Sequence, residues 1–501
     1  MSDTQSSYRQ IMKATSLFGG VQAFNIVVSI LRSKVIAVLL GPAGMGIAGL
    51  LTSTTGLITE MTNFGLGTSA VKDVAAAEAS GNKHRISVVV KVLRRLVWIT
   101  GLIGSLLTLV LSPWLSEITF GNRNYTLAFV WISVTLLFQQ LSSGQLVLLQ
   151  GMRKLKYLAT ANLAGSILGL VISLPLYYFF GVNGIVPAII LTSLSAMVIS
   201  WYYSSKIKLS HVKVSPLRTY AEGKGMLRMG FMISLTGLIS QGVAYLVRIF
   251  ISHTGGVDQV GLYNAGFSII NTYVGLVFTA MSKDYYPRLS GVAHDNMKSK
   301  LAINHQAEVA ILILAPIITV FLVFINWIVI LLYSSKFIEV NGMIHMAALG
   351  MLFKAVSWSI AYILLAKGAS KLFFWNELTA NLYLLIFNIL GYKFFGLQGL
   401  GISFFAGYLV YFIQVFIIAR KKYSFNLDKE FYRIFSVQFS AGLLCFLSEK
   451  FLDSPYNYII GSVLIVLSSL YSFRELDKRM DLKTAMTGMI EKFRQKRRGD
   501  Q

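Results

Sequence analysis

Residues 25–49 read NIVVSILRSKVIAVLLGPAGMGIAG. A long apolar run ends in a tight Gly-Pro turn, and a second apolar run begins directly after it. Two cations, Arg32 and Lys34, stand inside the first run. A charge within a hydrophobic span costs about 2.5–3.5 kcal/mol on insertion scales, so it faces a bundle interior or a wet cavity. The pattern returns in YLVRIFISHTGGVDQVGLYNAG (245–266), where one arginine, Arg248, again precedes a Gly-rich turn. Arg32 lies nine residues before Gly41, and Arg248 lies eight before Gly256. The expectation is two copies of one helical unit whose cations converge on a shared site.

The rest of the composition agrees with a membrane chain. Of 501 residues, 55% are hydrophobic and only 13% charged, with a mean hydropathy of +0.64. Apolar runs of about twenty residues recur from end to end, each long enough to cross a bilayer as a helix. No alternating ten-residue segments suggest a barrel, so the expected class is an all-α polytopic membrane protein. A net charge of +24 would point to nucleic acid in a soluble protein. Here basic loops on one side of a membrane explain it, and no nucleic-acid partner is expected. The single cysteine, Cys445, forms no intrachain disulfide, and no metal-ligand spacing or cofactor motif occurs. The first sixteen residues are polar and no small-residue cleavage site follows, so no removable signal peptide is expected.

About fourteen spans fit best, near 14–40, 46–70, 88–111, 124–149, 157–180, 184–205, 229–253, 261–282, 302–332, 339–366, 373–395, 398–419, 434–452 and 456–473. Their connections alternate in basicity. One side gathers 37 of the 45 lysines and arginines; the other holds only Arg123, Lys336, Lys393 and Lys450. The remaining four are Arg32, Lys34, Arg248 and Lys354, inside spans. The positive-inside rule then places both termini in the cytoplasm, which requires an even number of spans.

An internal repeat divides the chain. GMRKLKYLATANL (151–163) and YYFFGVNGI (177–185) return as GASKLFFWNELTANL (368–382) and YKFFGLQGL (392–400). Each unit holds six spans, so both copies insert the same way up, and transporters of that kind place the substrate between the repeats. The expected organisation is a six-helix lobe (1–210), a basic cytoplasmic linker (211–228), a second six-helix lobe (229–420), two additional helices (434–473) and a basic amphipathic cytoplasmic tail (474–501). In the tail, LKTAMTGMIEKF (482–493) sets apolar residues at helical spacing between basic flanks. That pattern suits a helix lying on an anionic leaflet. The alternative is a frayed tail that only reinforces topology.

Arg32, Arg248 and Lys354 are the sharpest candidates, with Lys34 beside them. The functional reading is a cationic cavity for an anionic group such as phosphate, which the planar arginine fork suits. The structural reading pairs each cation with a buried carboxylate or a helix-end carbonyl. Glu60, Glu308 and Glu377 are the carboxylates inside spans; they suit proton or ion coupling or act as counter-ions to those cations. The motif GSILG (165–169) reads as small-residue helix packing. The outer loops are at most about a dozen residues long and carry no clustered functional residues. This argues against an enzyme such as a polysaccharide polymerase or ligase.

SKVIAVLLGPAGMGIAGL (33–50) resembles the first helix pair of bacterial polysaccharide flippases, the Wzx-type O-antigen translocase and lipid III flippase group. These belong to the multidrug/oligosaccharidyl-lipid/polysaccharide exporter superfamily. LLYSSKFIEVNGMIHMAALGMLFKAVSWSIAYILLAKG (331–368), with Lys354, resembles that family's ninth and tenth spans; VDQVGLYNAG and YYPRLS also fit. The resemblance implies a two-lobed bundle in the bacterial inner membrane around a cationic cavity. It implies transfer of an undecaprenyl-diphosphate-linked oligosaccharide to the outer leaflet by alternating access. Arg32, Arg248 and Lys354 would then hold the diphosphate. Implied partners are the lipid-linked substrate, membrane lipids and other polysaccharide assembly proteins, with a monomer as the default. A lipid II flippase and a multidrug antiporter of the same superfamily stay open as alternatives; the basic bias of the spans argues against a cationic drug.

Overall fold

The computed structural model describes residues 3–480, and among them the regular elements are helices, with no strand. The surface helix expected at 482–493 and the end of the basic tail lie outside the described residues. In chain order the helices are α1 (Asp3–Thr62), α2 (Leu66–Ala79), α3 (Lys83–Phe120), α4 (Thr126–Gly151), α5 (Leu155–Phe180), α6 (Ile185–Ser205) and α7 (Pro216–Phe267). Then follow α8 (Leu276–Gly291), α9 (Asn296–Leu332), α10 (Asn341–Ala366), α11 (Ser370–Tyr423), α12 (Lys429–Phe451) and α13 (Tyr456–Met480). Nine helical stretches among the described residues are long and apolar enough to cross a membrane, or ten with the bent pair Gly237–Thr279 and Asp284–Gly291. Large apolar side chains such as Trp98, Val110, Trp114, Leu127, Trp131 and Phe394 face outward. Such a surface suits hydrocarbon and not water.

The longest helices are broken by glycines. Gly41 (φ 66°, ψ −166°), Gly256 (φ 84°, ψ 175°) and Gly396 (φ 58°, ψ −141°) leave the helical region inside α1, α7 and α11. Gly181 (φ 54°, ψ −133°) does the same between α5 and the 3-10 turn Gly181–Gly184. Positive φ is cheap only without a Cβ. At Gly396 the chain doubles back, since Ser403 Oγ donates to Phe387 O at 2.5 Å across the break. At Gly256 Arg248 Nε donates to Asn264 Oδ1 at 2.9 Å. These residues would lie roughly 24 Å apart on a straight helix rising 1.5 Å per residue.

The breaks follow one spacing. Gly256 stands 215 positions after Gly41, and Gly396 stands 215 after Gly181. The turn that opens α5 also returns at that offset: Arg153 (φ 53°) and Gly368 (φ 68°) both take positive φ. Lys154 N donates to Leu149 O at 2.9 Å, and Ala369 N to Leu364 O at 2.8 Å.

The described chain packs as two compact units (Met1–Asn264 with Leu332–Lys336, and Ala265–Leu331 with Phe337–Gln501). The first has a core of Val88, Val92 and Leu96 on α3 against Val74 on α2 and Val147 on α4. Within it the segments after Gly41 and Gly256 cross without side chains: a Cβ at Gly46 would lie 1.9 Å from Val257 O, and one at Gly261 1.9 Å from Pro42 O. Outside the apolar spans, the Arg85 guanidinium ties α3 to Glu222 on α7 and holds that carboxyl below the usual carboxylate range. The second unit centres on α9 and α10, with Ile311, Leu314, Ile318, Met351 and Ala355 fully buried. There α13 packs on α9 through Gly461 against Val323, and Gln438 of α12 is held by Ser472 Oγ (2.7 Å) and Ser468 Oγ (2.6 Å) of α13. Such hydrogen bonds join helices where no hydrophobic force can.

Four boundaries differ from the sequence reading. Hydropathy carries the second span to residue 70, but α1 stops at Thr62 because Phe64 and Gly65 both take positive φ. Asn63 Oδ1 closes that turn on Gly65 N at 2.6 Å, and α2 is a separate short helix. Residues 216–228, read as linker, form the first turns of α7. The eighth span contains a π-helical stretch, Ser268–Val274, that no apolar periodicity marks. Finally, α13 runs past 473 to Met480 because Glu475 and Arg479 find partners there.

Replacing Gly261 by valine forces a side chain onto Pro42 O, and overpacking of this kind costs about 1–3 kcal/mol. The variant should show a lowered detergent melting temperature, whereas Gly242→Ala, with open space around it, should melt near wild type.

Candidate functional site

Arg248 sits eight residues before the Gly256 break, where its partner lies eight residues beyond it. Its Nε donates to Asn264 Oδ1 and its Nη1 to Ala244 O, both at 2.9 Å. The guanidinium carbon stands 5.5 Å from the Tyr263 ring centre. Asn264 Nδ2 is buried without a partner. It lies over Gly49, where a Cβ would come within 2.1 Å of it. Asn264 thus positions Arg248 through one half of its amide.

Lys354, on α10, donates from Nζ to Asn271 Oδ1 at 2.9 Å. Asn271 belongs to the π-helical stretch, a distortion that often accompanies functional positions. Three rings stand around the ammonium: Tyr408 at 5.1 Å, Phe404 at 5.6 Å and Phe278 at 5.9 Å. Cation–π attraction and one amide hold this charge in place of a carboxylate.

Arg32, on α1, is half-buried in different surroundings. It lines a cavity of about 470 Å³ inside the first unit, walled by α1, α4, α5 and α6, and Arg248 is not among the lining residues. The offset of 215 explains the difference: it maps Arg32 onto buried Val247 and Ser33 onto Arg248, so the two arginines lie one position out of register. Adjacent positions point about 100° apart on a helix. Lys34 is half-buried on the same helix. Among the described residues no carboxylate forms an ion pair with Arg32, Arg248 or Lys354.

The carboxylates take other partners. Glu308 on α9 is buried and accepts from Arg479 Nε of α13 at 2.9 Å. Arg479 also reaches Glu475 through Nη1 at 2.6 Å. Glu377 accepts from the Tyr411 hydroxyl and from Asn376 Nδ2 (3.1 Å). Glu60 is half-buried beside Gly237 and forms no ion pair among the described residues. Sequence reasoning missed Asn264, Asn271 and Arg479. Asn264 falls in a recurring turn pattern and was within reach. Arg479 meets Glu308, 171 positions away in sequence, only through helix packing, which no local signal carries. Within GSILG, Gly169 approaches Thr192 at ordinary contact distance, while Gly165 borders the Arg32 cavity with open space around it. Among the described residues no group of acidic, histidine or cysteine side chains is arranged to hold a metal.

The same helical architecture occurs in solved flippase and transporter structures. The chain is similar to the lipid II flippase MurJ in an inward closed conformation (TM-score 0.71, 12% identity, covering 93% of this chain and 99% of that one). It is also similar to an inward-facing multidrug resistance MATE family transporter (TM-score 0.66, 16% identity, covering 80% and 94%). At such identities the likeness establishes the fold. The profile of the polysaccharide biosynthesis protein family matches residues 35–342, more than half of the chain, and the protein belongs to that family. Curated relatives include the lipid III flippase of Escherichia coli (strain K12), 23% identical over 405 residues that cover 78% of this chain and 95% of the relative. A putative O-antigen transporter of Shigella flexneri is 23% identical over 375 residues, covering 73% and 87%. The chain is a multi-pass membrane protein of the polysaccharide biosynthesis family.

Losing Arg479 leaves Glu308 a buried carboxylate without its ion-pair partner, at a cost of about 3–5 kcal/mol, whereas losing Glu308 leaves Arg479 still paired with Glu475. Arg479→Met should melt well below wild type in detergent, Glu308→Met should lose less, and the double variant should lose clearly less than the sum of the two.

Proposed function

We propose that this protein is a flippase that moves an undecaprenyl-diphosphate-linked oligosaccharide, such as an O-antigen repeat unit, from the inner to the outer leaflet of the bacterial inner membrane by alternating access. It acts as a transporter and not as an enzyme. The observation that carries this reading is the set of cations within the apolar spans, Arg32, Arg248 and Lys354, that no carboxylate among the described residues neutralises. In hydrocarbon such charges are costly and call for an anionic ligand.

Arg248 and Lys354 are assigned to the anionic diphosphate headgroup. Each is held by an amide oxygen and by aromatic faces, which fix the cation without cancelling its charge. Lys34 adds positive charge on α1. The lipid chain stays in the bilayer, so only the polar headgroup needs a path. The topology that fits is fourteen spans, with both termini in the cytoplasm. It comprises lobes 1–210 and 229–420 as parallel six-helix repeats joined at 211–228, plus the added helices 434–473. The recurring 215-residue offset supports the repeats, and glycine breaks supply the extra turns within long helices. Proton or ion coupling falls to Glu60, since Glu308 is neutralised by Arg479 and Glu377 is hydrogen-bonded. A lipid II cargo is the second reading, favoured by the two helices beyond the repeats. Assembly proteins of the same polysaccharide are expected partners, and the working unit is a monomer.

The test is deletion of the gene followed by complementation. The deletion strain should lose surface polysaccharide and hold lipid-linked repeat units on the cytoplasmic face. Wild type should restore the glycan, whereas expressed Arg248→Ala should yield at least about tenfold less. That is the scale of one lost charged hydrogen bond, about 1.5–3 kcal/mol. A strain with normal glycan but failing cell wall would move the assignment to lipid II, and one that is only drug-sensitive would move it to an exporter.

A further inference from the structure

The cavity that holds Arg32 has a polarity unlike the rest of the first unit's apolar spans. Asn25, Ser29 and Arg32 share one face of α1 at positions i, i+4 and i+7. Gln139 of α4, Asn162 and Ser166 of α5, and Thr192 and Ser193 of α6 add polar groups to the wall. Ser166 Oγ donates to Asn25 Oδ1 at 2.8 Å and ties α5 to α1. Ser29, Arg32, Gln139 and Asn162 engage no hydrogen-bond or ion-pair partner among the described residues. Among the described residues no carboxylate and no aromatic ring lines the space, and its roughly 470 Å³ falls in the range of small-molecule sites, about 300–1,000 Å³.

We propose that this groove binds one acidic sugar residue, a hexuronate-type pyranose, of the transported oligosaccharide. This rests on the flippase reading above and adds a glycan subsite distinct from the diphosphate contacts. The chemistry is stoichiometric. Neutral amides and hydroxyls spread over four helices present donors and acceptors in the mixed pattern that sugar hydroxyls and acetamido groups complement. One cation with no acid beside it matches one carboxylate through the guanidinium fork. A diphosphate would bring more negative charge than the groove can neutralise and would leave the amides of α4 and α5 unused. A flat aromatic drug finds no ring to stack on. Ser29 and Gln139 are exposed to the groove and Arg32 and Asn162 half-buried, so their donors and acceptors are open to an occupant that engages them together.

The experiment uses the full-length protein in lipid nanodiscs and lipid-free probes, with affinities measured by saturation-transfer NMR. Hyaluronan tetrasaccharide, alternating glucuronate and N-acetylglucosamine, should bind about tenfold tighter than neutral chitotetraose. Arg32→Gln should abolish that preference. Asn162→Asp, which places a like charge beside the carboxylate, should weaken the acidic probe by about tenfold or more and spare the neutral one. Equal affinity for the two probes in wild type, or a preference retained in Arg32→Gln, overturns the proposal. So does inorganic pyrophosphate that displaces the acidic probe and loses its own affinity in Arg32→Gln, since the groove would then be a phosphate site. Because the probes carry no lipid, the two readings fail separately. Intact acidic-sugar preference without glycan rescue in cells sinks translocation alone; rescue without any acid preference sinks the groove alone.

Discussion

Inside hydrocarbon a backbone amide has no water to turn to, so the chain must satisfy its own hydrogen bonds residue after residue. That constraint makes the described chain helical almost throughout and confines its turns to places where the ladder can be interrupted cheaply. Glycine is the residue for such places, and Gly41, Gly181, Gly256 and Gly396 each adopt a positive φ with extended ψ. The reversals bring residues far apart in sequence side by side. The Arg248–Asn264 bond exists only because the chain folds back at Gly256. Turn chemistry and site chemistry are therefore one problem in this protein.

The same low dielectric shapes the charged groups. Where a carboxylate and a guanidinium meet, as at Glu308, Glu475 and Arg479, they anchor α13 to α9 and leave little net field. Where a cation is held instead by an amide oxygen and ring faces, as at Arg248 and Lys354, orientation is fixed and the charge survives. The first arrangement cancels the charge and the second leaves it uncancelled. Arg32 shows neither kind of partner among the described residues and lines a cavity of neutral amides and hydroxyls.

Much of the architecture was legible from hydropathy and glycine. The joints between spans near 40–46, 180–184 and 395–398 coincide with Gly41, Gly181 and Gly396, because apolar runs and turn residues are local signals. The break at Gly65 was not, since it depends on α7 approaching so closely that a Cβ at Gly230 would lie 2.0 Å from Phe64 O. Nor was the π-helical stretch, whose composition is that of any apolar helix. The cations themselves stood out because charges in such runs are rare. Their partners did not, because Asn264 and Asn271 are ordinary polar residues until folding aims them. The pairing of Arg32 with Arg248 as equivalents fails by a single position, enough to turn the side chains to different faces.

Equivalent positions in a repeat need not stay interchangeable. Gly49 and Asn264 stand 215 residues apart, at the same place after their respective breaks, and they touch. The amide of one occupies the space that a side chain on the other would need. Only one copy can carry the asparagine, and the other is thereby committed to glycine. Whichever helix holds the amide also holds the oriented arginine, so this contact turns a nearly symmetric frame into one with a handed interior. A side chain at 49 is expected to be tolerated only where residue 264 is made smaller, because each position defines the room left for its counterpart.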